Sequence, residues 1–303
     1  MKSKLIWFTF TAFIHSISVA QQDPQVSQYN LNSSMINPAY SGLHNRLKIN
    51  TNFRRQWNGL PGNPKTDLLT ISSSILENML GGGLVVSQDD LGVTSLTSVN
   101  LALSYQIALG RNQTFSFGLQ GGLTSIRHDQ DELTLRFLDD PDFPLIEQRA
   151  SSPNFGAGLV LMADNYYLGF SIPRMLNTEF DDGLGSSTVY KRHYYLQGAF
   201  THKIAPNFIL KPNALMRYVD GSPLSFDLGV NIRYNQIFWF GLFTRNFNTQ
   251  GALLQFIINE VYQIGYSIEV PTASHLQSNF VTHEISIGLD LAIGNQNVYL
   301  RDF

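Results

Sequence analysis

The chain has 303 residues, a formal net charge of −3, 14% charged and 12% aromatic residues, 24 Gly and no Cys. Soluble globular proteins average about 25% charged residues, so a well-solvated surface is scarce here. The missing Cys rules out a disulfide framework and lipid attachment at a lipobox, and mild acidity without a basic patch argues against a nucleic-acid partner.

Residues 1–20 read as a secretory signal peptide. Lys2 and Lys4 form the positive n-region, Leu5–Ile14 the apolar core and Ser18-Val19-Ala20 a small-residue cleavage site. The core is too short to span a bilayer as a helix, so cleavage before Gln21 is expected. Losing Lys2 and Lys4 takes the formal charge from −3 to −5.

Residues 21–45 form the second unit, an N-terminal plug-like segment. Its turn-rich sequence QDPQVSQYNLNSSMINPAYSG (22–42) has neither a helical nor a strand period. Solvated tails rarely keep apolar anchors such as Tyr29, Leu31, Met35, Ile36 and Tyr40. Asn37-Pro38 and Ser41-Gly42 add turns at defined positions. The stretch therefore reads as ordered, irregular chain packed against the rest of the molecule.

Residues 46–303 are a series of period-two segments. Phe226, Leu228, Val230, Ile232 and Tyr234 alternate with Ser225, Asp227, Gly229, Asn231 and Arg233, and the segments starting near Leu101, Phe115 and Ile285 repeat the pattern. Fourteen strands are expected, near 46–57, 68–76, 81–88, 97–109, 114–128, 155–163, 166–171, 193–204, 207–219, 225–235, 237–246, 251–260, 262–270 and 283–293. Links after even-numbered strands are short, whereas three after odd-numbered strands are long: Asp129–Asn154, Pro173–Arg192 and Pro271–Thr282. Tight turns at one end and long loops at the other describe an outer-membrane barrel, turns in the periplasm and loops outside. The fold class expected is all-β: a transmembrane antiparallel barrel of about fourteen strands. The N-terminal segment is expected in its lumen or at its periplasmic mouth, and residues 295–303 form a short tail.

The competing all-β fold is a secreted sandwich, whose outward faces should be rich in Lys, Glu and Thr. Here the non-aliphatic face is mostly Gly, Ser, Ala, Asn and Gln with scattered charges such as Asp227, Arg233 and Asp290, which suits a polar lumen opposite lipid. Trp57, Tyr105, Tyr166, Tyr167, Tyr194, Tyr195, Tyr218, Tyr234 and Trp239 lie near strand ends, where interface girdles form.

Chemistry-bearing motifs are few. Asp129, Asp131, Glu132, Asp139, Asp140 and Asp142 crowd one loop without the EF-hand pattern, and read as a solvated acidic loop, as do Asp181-Asp182. His193, His202 and His283 have no nucleophile elbow beside them, and His283-Glu284 lacks the helical spacing of a zinc site. No catalytic residue, metal ligand or cofactor is assigned. Arg54 and Arg55 point to opposite faces, so one enters the lumen. A lumen-facing Arg54 has two candidate partners, the N-terminal segment (Asp23 included) or a wall carboxylate such as Asp290.

Asp23, Pro24, Gln28 and Tyr29, then Asn37, Pro38 and Tyr40, sit within QDPQ, SQY and INPAYSG blocks resembling the opening of the PorP/SprF family. These are outer-membrane proteins of the Bacteroidetes type IX secretion and gliding motility systems. The resemblance continues through Arg54, Gln56 and Trp57 in FRRQW, then GNPKT and GGGLVV. It reappears at RHYYL, LKP and FWFGL, and at His283 and Glu284 in THEI. It spans nearly the whole mature chain in order, although the 295–303 tail is longer than expected and Asn32-Ser33-Ser34 more polar than usual.

The resemblance implies a non-enzymatic outer-membrane barrel. It would dock, help export or anchor a secreted surface protein bearing a type IX C-terminal domain, and contact periplasmic lipoproteins of the same machinery. The long loops would form the docking rim, with Phe143, Phe180, Tyr190 and Phe280 as aromatic anchors. The alternative is a diffusion channel or transporter for a small molecule. That reading expects an open lumen with charged constrictions, against which stand the few lumen charges the sequence suggests.

Overall fold

The computed structural model describes residues 25–43, 46–76, 79–128, 148–181, 187–272 and 280–293. From the N-terminal side, β1 (Arg46–Arg55), β2 (Lys65–Leu76), β3 (Leu80–Leu91), β4 (Thr94–Ala108) and β5 (Gln113–His128) pair antiparallel with their sequence neighbours. The meander continues with β6 (Gln148–Ala163) and β7 (Tyr166–Arg174). A two-stranded hairpin, β8 (Thr178–Asp181) and β9 (Ser187–Tyr190), stands apart from the main sheet. Next, β10 (His193–Phe200) pairs with β7, and β11 (His202–Ala205) carries the same strand past Thr201. The meander ends with β12 (Phe208–Val219), β13 (Ser225–Tyr234), β14 (Phe238–Arg245), β15 (Thr249–Ile258), β16 (Tyr262–Pro271) and β17 (Thr282–Ala292). Because β17 pairs with β1 and β10 with β12, the main sheet closes on itself. With β10 and β11 counted as one strand, the barrel has 14 strands.

Closure removes the exposed edges that an open sheet would carry into lipid. The alternation does the sorting. In β4, Leu96, Ser98, Asn100, Ala102, Ser104 and Gln106 are buried, while Leu101, Leu103, Tyr105 and Ile107 stand exposed on the outer face. Leu101 is 66% exposed and stands in a row of exposed apolar side chains, as a lipid-facing surface requires. Among the described residues no helix is long and apolar enough to cross a membrane; the strands cross it instead.

All fourteen expected strands are present, with shifted ends. The largest shift is at β6, which begins at Gln148 rather than near 155 and pairs Ser151 with Ser125 and Pro153 with Leu123. Pro153, which lacks an N–H, and the polar run before it hide that extension in the sequence. The acidic cluster 129–142 lies outside the described residues. Loop length separates the two ends less cleanly than expected, since only Gly92 and Val93 link β3 to β4 on the long-loop side. Three tight turns, at Asn235-Gln236, Asn246-Phe247 and Asn259-Glu260, each place two consecutive residues at positive φ. That is the type I′ geometry matching strand twist, and Asn at the first position tolerates it best. The girdle expectation needs correction: Tyr105, Tyr218 and Tyr234 face outward, but Tyr167, Tyr195 and Trp239 are buried on the inner side.

Candidate functional site

Residues 25–43 of the N-terminal segment lie against the inward-facing side chains of the barrel. Residues Val26–Asn30 and Asn37–Leu43 are buried, and short 3-10 turns at Ser33–Met35 and Pro38–Tyr40 shape the path. The second turn is written into the sequence. The Asn37 side chain accepts the Ala39 N–H at 3.0 Å, and Pro38 takes the first helical position, where no N–H is needed.

The segment begins at the long-loop end. Ser27 and Gln28 donate their backbone N–H groups to the Glu284 carboxylate at 2.9 and 3.0 Å. The Ser27 hydroxyl contacts Glu269 and accepts from Arg54 Nη1 at 3.0 Å. Lower down, Tyr29 Oη donates to Asn213 at 3.2 Å, Asn32 Nδ2 to Thr70 at 2.7 Å, and Lys211 Nζ to the Asn30 carbonyl at 3.4 Å. Lys211 lies over Trp239, 5.5 Å from the ring centroid.

At the short-turn end the contacts change character. Ser116 donates to the Ala39 carbonyl at 2.7 Å and Ser104 to that of Ser41, while nearer the long loops Ser171 donates to the Ile36 carbonyl at 2.8 Å. Asn37 Nδ2 donates to the carbonyls of Leu159 and Phe170 at 3.2 and 3.3 Å. Gly118 and Gly158 face this stretch so closely that an added Cβ would strike Ala39 and Asn37. Tyr40 packs edge-on against Tyr167, centroids 5.7 Å apart.

The segment thus enters from the long-loop end, dips to Leu31, rises again to Met35 and Ile36 and ends on the short-turn side, from which β1 returns outward. Two placements were expected, in the lumen or at its periplasmic mouth; the described residues 25–43 lie against lumen-facing side chains, with Ser27 toward the long loops.

Around Ser27 lies a ring of buried charge. Arg54 binds Glu269 at 2.8 Å and Glu284 at 3.1 Å; Arg245 binds Glu269 at 3.2 Å and Asp227 at 3.1 Å; Arg217 binds Asp227 at 2.7 Å. None of these side chains is more than 8% exposed. Three guanidinium groups face three carboxylates, so the ring is neutral as a whole, and removing one member would strand a buried charge. The few lumen charges expected from sequence are therefore a dense cluster.

Of the two partners considered for Arg54, the wall-carboxylate reading holds in kind, through Glu269 and Glu284, whereas Asp290 pairs with Arg46. Its contact to the segment is Ser27, while Asp23 and Pro24 lie outside the described residues. The other expected positions scatter. Gln56 and Trp57 fix the rim, with Gln56 N–H donating to Pro64 at 2.9 Å and Trp57 N–H to Thr282 Oγ1 at 3.3 Å. Glu284 faces the lumen, but its neighbour His283 turns outward and shares a hydrogen bond with Tyr266 at 2.8 Å. Phe143 lies outside the described residues, Phe180 and Tyr190 belong to the β8–β9 hairpin, and Phe280 is half-buried.

Sequence reasoning missed Glu269, Arg245, Arg217 and Ser27 as partners. A signal existed: Arg54, Arg217, Asp227, Arg245, Glu269 and Glu284 all sit within three residues of a strand's long-loop end.

A family model described as type IX secretion system membrane protein PorP/SprF matches residues 18–289. The chain belongs to the PorP/SprF family. Among curated proteins, nothing matches this PorP/SprF chain. Its barrel is similar to that of the Pseudomonas putida toluene transporter TodX, at 10% identity and TM-score 0.52, over 88% of this chain and 94% of that one. It is also similar to the CymD monoaromatic hydrocarbon channel, at 11% identity and TM-score 0.51, over 90% and 94% of the two chains. At such identities the likeness shows the fold alone: an outer-membrane β-barrel, here in a PorP/SprF protein.

Proposed function

We propose that this PorP/SprF protein is a non-enzymatic outer-membrane docking barrel. It holds or helps export a secreted surface protein with a type IX C-terminal domain, and its short-turn side meets periplasmic lipoproteins of the secretion and gliding machinery. The observation that carries the reading is the segment that lies across the lumen. The segment 25–43 is hydrogen-bonded to the barrel wall along its length, which suits a closed platform better than an open pore. A cavity of about 110 Å³ lined by Leu31, Lys48, Arg233 and Trp239 opens at the short-turn end. Another of about 90 Å³, lined by Val26, Met35, Leu96 and Tyr195, opens at the long-loop end, with the segment between the two. The rim loops, with the β8–β9 hairpin and Phe280 among them, supply the docking surface, together with Phe143, Phe180 and Tyr190.

The second reading is a small-molecule channel, favoured by the fold shared with a toluene transporter and a hydrocarbon channel. One experiment separates them. The protein is captured from solubilised outer membranes, its partners identified, and its conductance measured in planar bilayers. Recovery of a surface protein with a C-terminal secretion domain, with the pure barrel electrically silent, supports docking. Steady conductance by the wild type without a protein partner would overturn it in favour of the channel.

A further inference from the structure

We propose that the chain threads its own lumen from the outer face, so that the leading end of the N-terminal segment is a surface element of the long-loop rim. The inference deepens the docking reading and rests on it only for the identity of the rim as the docking face. The threading direction comes from contacts at both ends of the segment. Gln25 shares a small cavity with His193, Arg217, Val219, Pro223 and Ser225, all at or beside the β12–β13 loop on the long-loop side. Ser27 meets Glu269, two residues before β16 ends at Pro271, and Glu284, two residues after β17 begins at Thr282. At the other extreme, Ser41 meets Ser104, which is near the end of β4, and Gly42 lies against Gly81 beside the β2–β3 turn.

The ten residues of β1 rise about 33 Å from the short-turn end to the long-loop end, less only by the strand tilt, so Gln25 and Ser27 stand about a strand length from the short turns. An outer-membrane barrel turns its long loops away from the periplasm, and Gln25 stands with them. Beside it opens the outer cavity, where Val26, Met35 and Ile36 of the segment face Leu68, Leu96 and Tyr195. A protein docked on the rim would touch the leading end of the segment directly, rather than sensing it through the barrel wall.

The chain contains no Cys, so single cysteines report position without background. Full-length D23C and Q25C are expressed in cells and treated with a polyethylene-glycol maleimide too large to pass outer-membrane porins. D220C, in the β12–β13 loop, and N112C, in the β4–β5 turn, mark the two sides. The expected result is labelling of D23C on intact cells to the extent of D220C, with N112C labelled only after the outer membrane is permeabilised. Labelling of D23C that follows N112C would overturn the proposal, as would an exchange of behaviour between the two markers. Because Gln25 is half-buried, the pair Q25C/S225C supplies a measurement that does not depend on reagent access. Oxidation should cross-link it within one chain, seen as a faster-migrating band, and absence of that band together with unlabelled D23C would also overturn the proposal. Failure to recover a secreted partner would sink the docking reading while leaving this labelling pattern unchanged.

Discussion

The outer and inner halves of the lumen hold the same segment by different means. At the outer half, Ser27 and Gln28 are fixed by a neutral ring of three Arg and three carboxylates drawn from six strands. At the inner half, Asn37, Ala39 and Ser41 are fixed by close backbone approach over glycines and by serine hydroxyls donating to the segment's carbonyls. Charge is long-ranged and unforgiving of a missing partner; shape is short-ranged and unforgiving of an added methyl. The two halves should therefore fail differently under mutation.

The largest effect is expected at Arg54. R54M leaves Glu269 and Glu284 buried without their shared cation, a loss of about 3–5 kcal/mol for a broken buried pair. The outer half of the segment should come loose, read as protease cleavage near Ser27 and as new conductance in planar bilayers. A variant with wild-type protease resistance would show that the ring does not hold the segment. Next comes G118V at the inner half. Its side chain would occupy the place of Pro38 and Ala39, and overpacking of this kind costs about 1–3 kcal/mol. Cysteines placed at Ser41 should become more reactive, while the outer half keeps its protection. If both halves loosen together, the segment is one cooperative unit and its two halves do not fail independently.

A smaller change is expected from Y29F, which removes the hydrogen bond to Asn213 between the two halves, a net loss of about 1 kcal/mol. Its check is the heat-induced shift in gel mobility of the folded barrel, which should move by a few degrees at most. The smallest effect belongs to D67N, which removes the Arg55–Asp67 ion pair on the exposed side of β1. Solvent-exposed pairs contribute little, so folding and segment protection should match wild type within the error of the same assay. A D67N defect as large as that of R54M would undo the distinction between buried and exposed arginines.

Much of this was legible before the fold was seen. Period-two alternation located every barrel strand because lipid on one face and a polar lumen on the other leave each strand no other pattern. The anchors Tyr29, Ile36 and Tyr40 marked their stretch, described from Gln25 on, as packed chain, since an unpacked tail gains nothing from burying them. The start of β6 was not legible, because Pro153 and its polar neighbours look like loop until Leu123 and Ser125 are placed opposite them. Nor were the partners of Arg54: alternation gives a side chain's face, while its neighbour across strands depends on register, which the sequence leaves open.

By itself, the sequence determined the barrel, its strand count, the two unlike ends and the family, because all of these follow from local periodicity and ordered motifs. Only the tertiary structure decided that six charges scattered over more than two hundred residues form one ring, and that the segment inside runs from the outer end inward. Those depend on which strands stand at the same height across a closed lumen. That height is set by closure and register, through contacts between residues far apart in the chain.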